Sequence, residues 1–531
     1  MSPFRSIWEL PEPMVLVRCR RCRRPVGVYY VEADGTGEWR RRDVLPCRCD
    51  PAPELPSGDE LGKLVASARA RRENGFDEPN LVSAAGLVPI MELAEQTGLS
   101  WLIGKQVDLP STRVKSGAVN PVGKLTTIIG GMICGADSID DVDVLRAGGT
   151  PRVFDEVYAP STLGIFLREF TFGHANQLAA VAREHLAALA ARTALLPGIE
   201  QRAFLDIDSL LRPVYGHLKQ GASFGHAKIA SRALLRLGLS PQITTLSTER
   251  AAPVIAEARL RSGKAGSGRA AAWQVKQAIG TARECGAIGT IMLRGDSAFG
   301  TKTVMTTCVT EGVEFSLSVA RNKRISTAIG GIDEDSYTSV HYPGAVEDPD
   351  TGELISNAEV AETRYTLRLG RVRTLTVRLV VRRVKDARYP DALFPVWRYH
   401  PFVTNSTLPT AEADITHRRH AIVETTFADL IDGPLAHIPS GLFAANCAWL
   451  ACAVIAHNLL RAAGTLAGGD AAVARGATLR RDLINVPARF AAPARKPMLH
   501  LPAHWPRQTG WKTLWDNVIG HCYLTAQPRA G

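Results

Sequence analysis

FLDIDSLLRPVYG, residues 204–216, reads as a strand running out into a turn, and the rest of the chain orders itself around it. Side chains alternate along a strand, so Asp206 and Asp208 project to one face. The stretch HAKIASRALLRLG at 226–238 continues the same region. A helix-like segment, 271–285, then leads into the apolar run AIGTIML at 287–293, which ends on Arg294-Gly295-Asp296. TKTVMTTCVTEG at 301–312 has a helical texture, and VEFSLSVA at 313–320 that of a strand. Strand, helix, strand in this order predicts a βαβ unit with parallel pairing. Asp296 stands at the end of its first strand, where open α/β sheets place their ligand crevices.

Working outward toward the C-terminus, residues 365–384 (YTLRLGRVRTLTVRLVVRRV) alternate sharply, which predicts antiparallel β structure with one basic face. Helical periodicity returns around 416–430, in HRRHAIVETTFADL, and carries Glu424. Toward the N-terminus, GLVPIMELAEQTGLSWLI at 86–103 has apolar residues at three- and four-residue steps, and a second helix is predicted over 122–134. Ser161 reads as the N-cap of a long helical region that Gly173 breaks before 174–196. The fold class is α/β, in several domains.

The chain has 531 residues and a net charge of +11, an excess that favours a polyanionic partner such as nucleic acid. The most apolar stretch, 441–460, contains Asn446, His457 and Asn458 and is rich in small side chains, so it reads as a buried core helix rather than a membrane span. The start, MSPFRSIWELPEP, lacks the pattern of a signal peptide, and a cytoplasmic location is expected. Cys19 and Cys22 with Cys47 and Cys49, the second pair tighter than the usual two-residue spacing, are the expected ligands of Zn²⁺ in a small ribbon, amid an Arg-rich segment.

Asp208, Asp296 and Glu424 come from separate elements, and hard oxygen donors of this kind suit Mg²⁺ or Mn²⁺. The plainer alternative for each is a cap or an ion-pair partner. Further stretches decide between the two: NLVSAAGLVPI at 80–90, SIDDVDVLRAGG at 138–149, PSTLGIFLREFTFGH at 160–174, LDIDSLLRPVYGHLKQGASFGHAK at 205–228, LRGDSAF at 293–299, AHNLLR at 456–461, and LRRDLINVPARF and LHLPAHWP near the end. In this order they resemble the DDE transposases of bacterial insertion sequences, most closely the insertion-sequence group numbered 1380, from about Asn80 onward.

The resemblance implies a ribonuclease-H-like core split by a mostly β insertion, and a cut at the element's terminal inverted repeats followed by 3′-OH attack on target DNA. It also implies two Mg²⁺ or Mn²⁺ ions on Asp208, Asp296 and Glu424, with Asp206 as the alternative first acid or a partner behind it. The family's Glu is flanked by Tyr, Arg and Lys at fixed offsets. Here His417 and His420 stand at the first two and Ile431 at the third, with Arg418 and Arg419 one step away. Lys228 and Arg232 after the first acid, Arg371 and Arg373 on a basic alternating face with Arg364, Arg368 and Arg378, and Arg418 and Arg419 beside Glu424 are the candidate DNA contacts. His217, His226 and His457 read as structural or surface residues, and Trp397, Trp505 and Trp511 as core residues with base stacking the alternative. Double-stranded DNA is the expected partner, bound by a homodimer or larger assembly, with no membrane involved. The expected map is a Cys-rich zinc-ribbon-like module at 1–55, a helix and linker at 56–79, and a helical DNA-binding region at 80–200. The catalytic core follows at 201–320 and 409–465 around an insertion at 321–408, with a basic tail at 466–531. The two rival readings are a degenerate transposase that only binds DNA and a metal-dependent nuclease that does not join ends.

Overall fold

The computed structural model describes residues 76–109, 117–154, 156–216, 218–229, 232–341, 358–368, 374–386, 388–389, 393–394 and 396–520, with strand segments 14–18, 25–31 and 39–43 and residues 60 and 63 before them. Internal contacts divide the chain into two units, Met1–Glu78 and Pro79–Gly531. In the first, Met14–Arg18, Pro25–Val31 and Trp39–Asp43 pair as a three-stranded antiparallel sheet. Cys19, Cys22, Cys47 and Cys49, on which the zinc expectation rests, lie outside the described residues.

The second unit opens with helices. The periodic run from Leu87 is two helices, α1 (Leu87–Gln96) and α2 (Leu99–Gln106), separated at Gly98, whose φ of 78° is the left-handed conformation glycine adopts freely. In α3 (Pro121–Cys134), Pro121 occupies the first turn, where no amide is needed, and the Asn120 side chain accepts from the Gly123 amide at 3.1 Å. Helix α4 (Pro160–Arg168) starts one residue before the predicted cap: Ala159 is the N-cap and Ser161 lies inside. The break before α5 (Phe172–Arg192) falls at 169–171, and Gly173 is helical. The cause is a capping box: Thr171 Oγ1 accepts from the His174 amide at 3.3 Å, and His174 Nδ1 accepts from the Thr171 amide at 3.2 Å.

A large mixed sheet follows. Strand β1 (Arg202–Ser209) pairs antiparallel with the 16-residue strand that comes two strands later. In chain order these are β2 (Ser223–Ile229), β3 (Arg232–Ser247) and β4 (Val254–Ser262), and β2 and β4 both pair antiparallel with β3. Helix α6 (Ala271–Glu284) returns the chain to β5 (Thr290–Gly295), which is parallel to β1. Helix α7 (Lys302–Glu311), capped by Thr301, leads to β6 (Glu314–Ser318), parallel to β5, so the expected βαβ unit is present. After α8 (Lys323–Gly330) come β7 (Ala358–Arg368), β8 (Thr374–Lys385) and β9 (Trp397–Thr404). They form an antiparallel meander that joins the same sheet, because β9 pairs with β6.

The predicted helix over 416–430 is two pieces. Helix α9 (Thr410–Arg418) passes through a single 3₁₀ turn, Arg419–Ala421, into α10 (Ile422–Ile431). Helix α11 (Phe443–Ala467) is, among the described residues, the one helix long and apolar enough to cross a membrane, but it is mostly buried inside the fold. It packs on α3, α5 and β4, and also on α12 (Gln508–Val518). Its Asn458 explains the AHNLLR stretch: Oδ1 accepts from the Ile255 amide at 2.8 Å and Nδ2 donates to the Ile255 carbonyl at 3.0 Å, completing the edge of β4. Three other quoted stretches meet at one corner. The Gly149 amide donates to the Leu81 carbonyl at 2.7 Å, the Ala85 amide to Val486 at 2.9 Å, and the Gly86 amide to Ile484 at 3.1 Å. A Cβ on Gly86 would lie 1.8 Å from the Leu483 carbonyl oxygen, so only glycine lets these segments approach.

Candidate active site

Strand β1 supplies two of the acids and β5 leads to another. The parallel register sets Asp206 opposite Arg294 and Ile207 opposite Gly295, so Asp296 emerges beyond the strand end, near Asp208. The sequence after it makes a fixed turn. Asp296 Oδ1 accepts from the Ala298 amide at 2.9 Å, Phe299 is fully buried, and a Cβ on Gly300 would lie 2.3 Å from the Ser318 carbonyl oxygen. The acid is therefore exposed at the tip of a turn whose two ends are locked into the core.

Asp206 and Asp208 share a strand face but not an environment. Asp206 is fully buried, and its two oxygens accept from Arg294 Nε at 2.7 Å and Nη2 at 2.8 Å. Nη1 of the same guanidinium donates to the Thr416 carbonyl at 3.0 Å, and the group lies 4.2 Å from the centre of the Phe204 ring. Burial pushes the Asp206 carboxyl upward and Arg294 pulls it back. Asp208 is half-buried, and its Oδ1 accepts from the Ser209 amide at 2.6 Å. Asp208 is raised to about 6, chiefly by burial and also by the charges of Asp296 and Glu424, with the Ser209 amide opposing. Glu424 is exposed in the first turn of α10, where the helix dipole favours an anion.

The neighbours of Glu424 have settled roles. His417 is buried, stacked on Phe402 at 4.2 Å, with Nδ1 2.9 Å from Ser316 Oγ and Nε2 3.0 Å from Ser318 Oγ. Burial lowers it to about 3, so the ring is neutral. His420 Nδ1 donates to the His417 carbonyl at 2.6 Å, and its charge acts on both Asp206 and Asp208. Ile431 is half-buried against the core. Arg418 is exposed and adds to the positive charge that, after burial, Arg382 and Arg398 place on His400. Arg419 pairs with Glu249 at 2.9 Å.

Among the other candidates, the side chains of Lys228 and Arg232, and all of His217, Arg371 and Arg373, lie outside the described residues. Arg364 and Arg368 are exposed on β7. Arg378 is an internal clasp: it binds Glu362 and donates to the carbonyls of Ser406 at 2.8 Å and Leu408 at 2.6 Å. His226 is exposed, while His457 is buried against the Pro253 carbonyl at 3.4 Å. Trp511 stacks on Trp515 at 5.2 Å, Trp505 donates to the Asp482 carbonyl at 3.2 Å, and Trp397 lies under Arg383 at 4.3 Å; all three are packing residues here. Arg294 escaped the sequence reading, although its place directly before Gly295-Asp296 on a strand parallel to β1 was the signal for it.

The charges of Asp296 and Glu424 both act on the ionisation of Asp208, and hard oxygen donors of this kind suit Mg²⁺ or Mn²⁺ in general. Among the described residues, no group of three or more His, Cys, Asp and Glu side chains stands arranged so that it could hold a metal ion. No curated protein matches the chain. The family described as transposase DDE domain, group 1, matches residues 69–519, a span that takes in Asp208, Asp296 and Glu424 and nearly all of the larger unit. The chain belongs to the DDE-domain transposases of group 1.

Proposed function

We propose that this transposase-family protein cuts DNA at the terminal inverted repeats of an insertion sequence and joins the freed 3′-OH ends to target DNA. The observation that carries the reading is that the charges of Asp296, from the turn after β5, and Glu424, from α10, both bear on Asp208 at the end of β1. The strand order supports a ribonuclease-H-like core: β4, β3 and β1 side by side and antiparallel, then β5 and β6 parallel to β1. Strands β7 to β9 are then the insertion between the second and third acids.

In this reading Asp208, Asp296 and Glu424 would hold two Mg²⁺ or Mn²⁺ ions, and Asp206 would not. Bound there, the ions supply activation of a water or 3′-hydroxyl and stabilisation of the leaving oxygen. The protein's own part is positional. Arg294, on β5, ties Asp206, and through it β1, to the Thr416 carbonyl on α9, so the two strands that lead to Asp208 and Asp296 share one buried ion pair, anchored to the helix before α10. The Ser209 amide holds one Asp208 oxygen and leaves the other open. Arg418, Arg364 and Arg368 are exposed cations placed for phosphate contacts, and paired DNA ends call for a dimer or larger assembly.

The test is an excision and strand-transfer assay with Mg²⁺ on a plasmid carrying the coding region and its native flanks. Wild type should excise and join. Asp208→Asn, Asp296→Asn and Glu424→Gln should bind the ends yet lose cleavage by at least about a thousandfold, a loss of roughly 4 kcal/mol of transition-state stabilisation. One observation favours a second reading, a DNA-binding relic: His417, at the first flanking offset, is buried between two serines and Phe402 and cannot reach DNA. Wild type that binds ends without cutting them would establish that reading instead, and cutting without joining would make the chain a nuclease.

A further inference from the structure

The loop between β4 and α6, SGKAGSGRA at 262–270, bridges the two strand-borne acids. On one side, Ser267 Oγ lies 2.8 Å from Ser209 Oγ, next to Asp208, and the Ser267 carbonyl accepts from Gln242 Nε2 at 2.7 Å. On the other side, a Cβ on Gly268 would lie 3.2 Å from the Ala298 carbonyl oxygen in the Asp296 turn. The start of the loop is pinned as well: the Lys264 amide donates to Ser223 Oγ at 2.8 Å, and a Cβ on Gly263 would lie 2.2 Å from the Ser223 carbonyl oxygen.

Arg261 holds the loop from beneath. Its guanidinium, 6% exposed, donates to the carbonyls of Gly266 and Ser267 at 3.1 Å each and of Arg269 at 3.4 Å. In a trans peptide the amide N–H points opposite to the preceding carbonyl. With these carbonyls turned toward Arg261, the amides of Ser267 and Gly268 point away from it, and neither has a hydrogen-bond partner among the described residues. The side chains of Lys264 and Arg269 are exposed. Within the described residues no carboxylate lies within ion-pair distance of Arg259, Arg261, Lys264 or Arg269. Arg259 and Arg269 act on Arg261 as like charges, so the base of the loop gathers positive charge.

We propose that Lys264 and Arg269, with the outward amides of the loop, bind a backbone phosphate of the DNA strand that passes between Asp208 and Asp296. This rests on the reading of the three acids as the reaction centre, and deepens it. A strand whose scissile phosphate lies at the carboxylates must place a neighbouring phosphate nearby, and outward amides with two cations on the same loop are the donors that such an oxyanion takes. Lys264 and Arg269 are positioning residues, and their contacts carry no sequence preference.

The experiment uses the full chain carrying Asp208→Asn, so that binding is read without cleavage, and a fluorescent duplex of arbitrary sequence across a KCl series. Lys264→Gln and Arg269→Gln should each lower the slope of log affinity against log salt by about 1. Arg269→Lys should keep the slope. Lys276→Gln, on α6 but paired with Glu311, should leave it unchanged. In the chain with its acids intact, Arg269→Gln should slow single-turnover cleavage about tenfold or more. Unchanged slopes for both loop variants overturn the proposal, as does an equal fall for Lys276→Gln. A wild type that binds DNA but does not cut it sinks the reaction centre alone, since the slopes still decide the loop. Absence of any DNA binding overturns both.

Discussion

Asp206 and Asp208 are chemically identical, two residues apart and on one strand face, yet the fold gives them opposite tasks. Asp206 is sealed in a bidentate pair with Arg294 and has no oxygen left free of it. Its replacement by Asn leaves a buried guanidinium without its counter-ion, and should destabilise the chain by about 3–5 kcal/mol. Asp208→Asn should not destabilise the metal-free chain, because it removes a carboxylate whose ionisation the fold opposes. Its pKa is raised from 3.8 to about 6, so between those values the native state keeps a proton that the unfolded chain has lost. Through this group stability falls as pH rises from about 4 to about 6, and the Asn variant lacks that fall. Urea unfolding of both variants across this window checks the assignment. A larger loss for Asp208→Asn than for Asp206→Asn would reverse it.

At the scale of elements, the sequence was most readable where one period ran uninterrupted. Residues 271–285, 301–312, 365–368 and 374–384 behave as their patterns predict, because helix and strand each set a repeat of apolar side chains. It was least readable where a local side chain overrode the pattern. The capping box of Thr171 and His174 moved a helix break that Gly173 was expected to make, and the 3₁₀ turn at Arg419–Ala421 divided the helix expected to carry Glu424. Helix α11 gives an element-scale prediction. Asn458→Ala strands the amide and the carbonyl of Ile255, both inside the fold, each at about 1–3 kcal/mol. The expected outcome is a loss of about 2–5 kcal/mol in unfolding free energy, with hydrogen exchange at β4 accelerated before that at β5. Uniform acceleration across the sheet would mean that Asn458 does not secure β4 in particular.

At the scale of the whole molecule, three histidines among the described residues are buried neutral. Burial lowers His185 to about 3, His417 to about 3 and His457 to about 4. The unfolded chain takes up these protons near the ordinary value of 6.5, the folded chain only well below it. Their contribution is therefore complete above about pH 6.5 and is lost as pH falls toward 4. Asp206, Asp208 and Glu257, whose carboxyls burial raises, work in the opposite direction over part of that range. The thermal midpoint should drop on acidification from pH 6.5 to 4, and less steeply in His417→Gln. An equal slope in that variant would remove His417 from the account.

The sequence by itself determined the parallel strand–helix–strand unit, the antiparallel meander and the placing of Asp208, Asp296 and Glu424 at strand ends and on a helix. These follow from periodicity and from resemblance, both of which are written along the chain. Only the tertiary structure decided which aspartate is consumed by an ion pair, because that depends on the register setting Asp206 beside Arg294. Only it brought the loop at 262–270 against both acid-bearing segments, since contacts such as Ser267 with Ser209 join residues 58 apart in sequence. It also turned His417 inward onto Phe402. No local pattern encodes such long-range juxtapositions, which arise when separate segments bury their surfaces against one another.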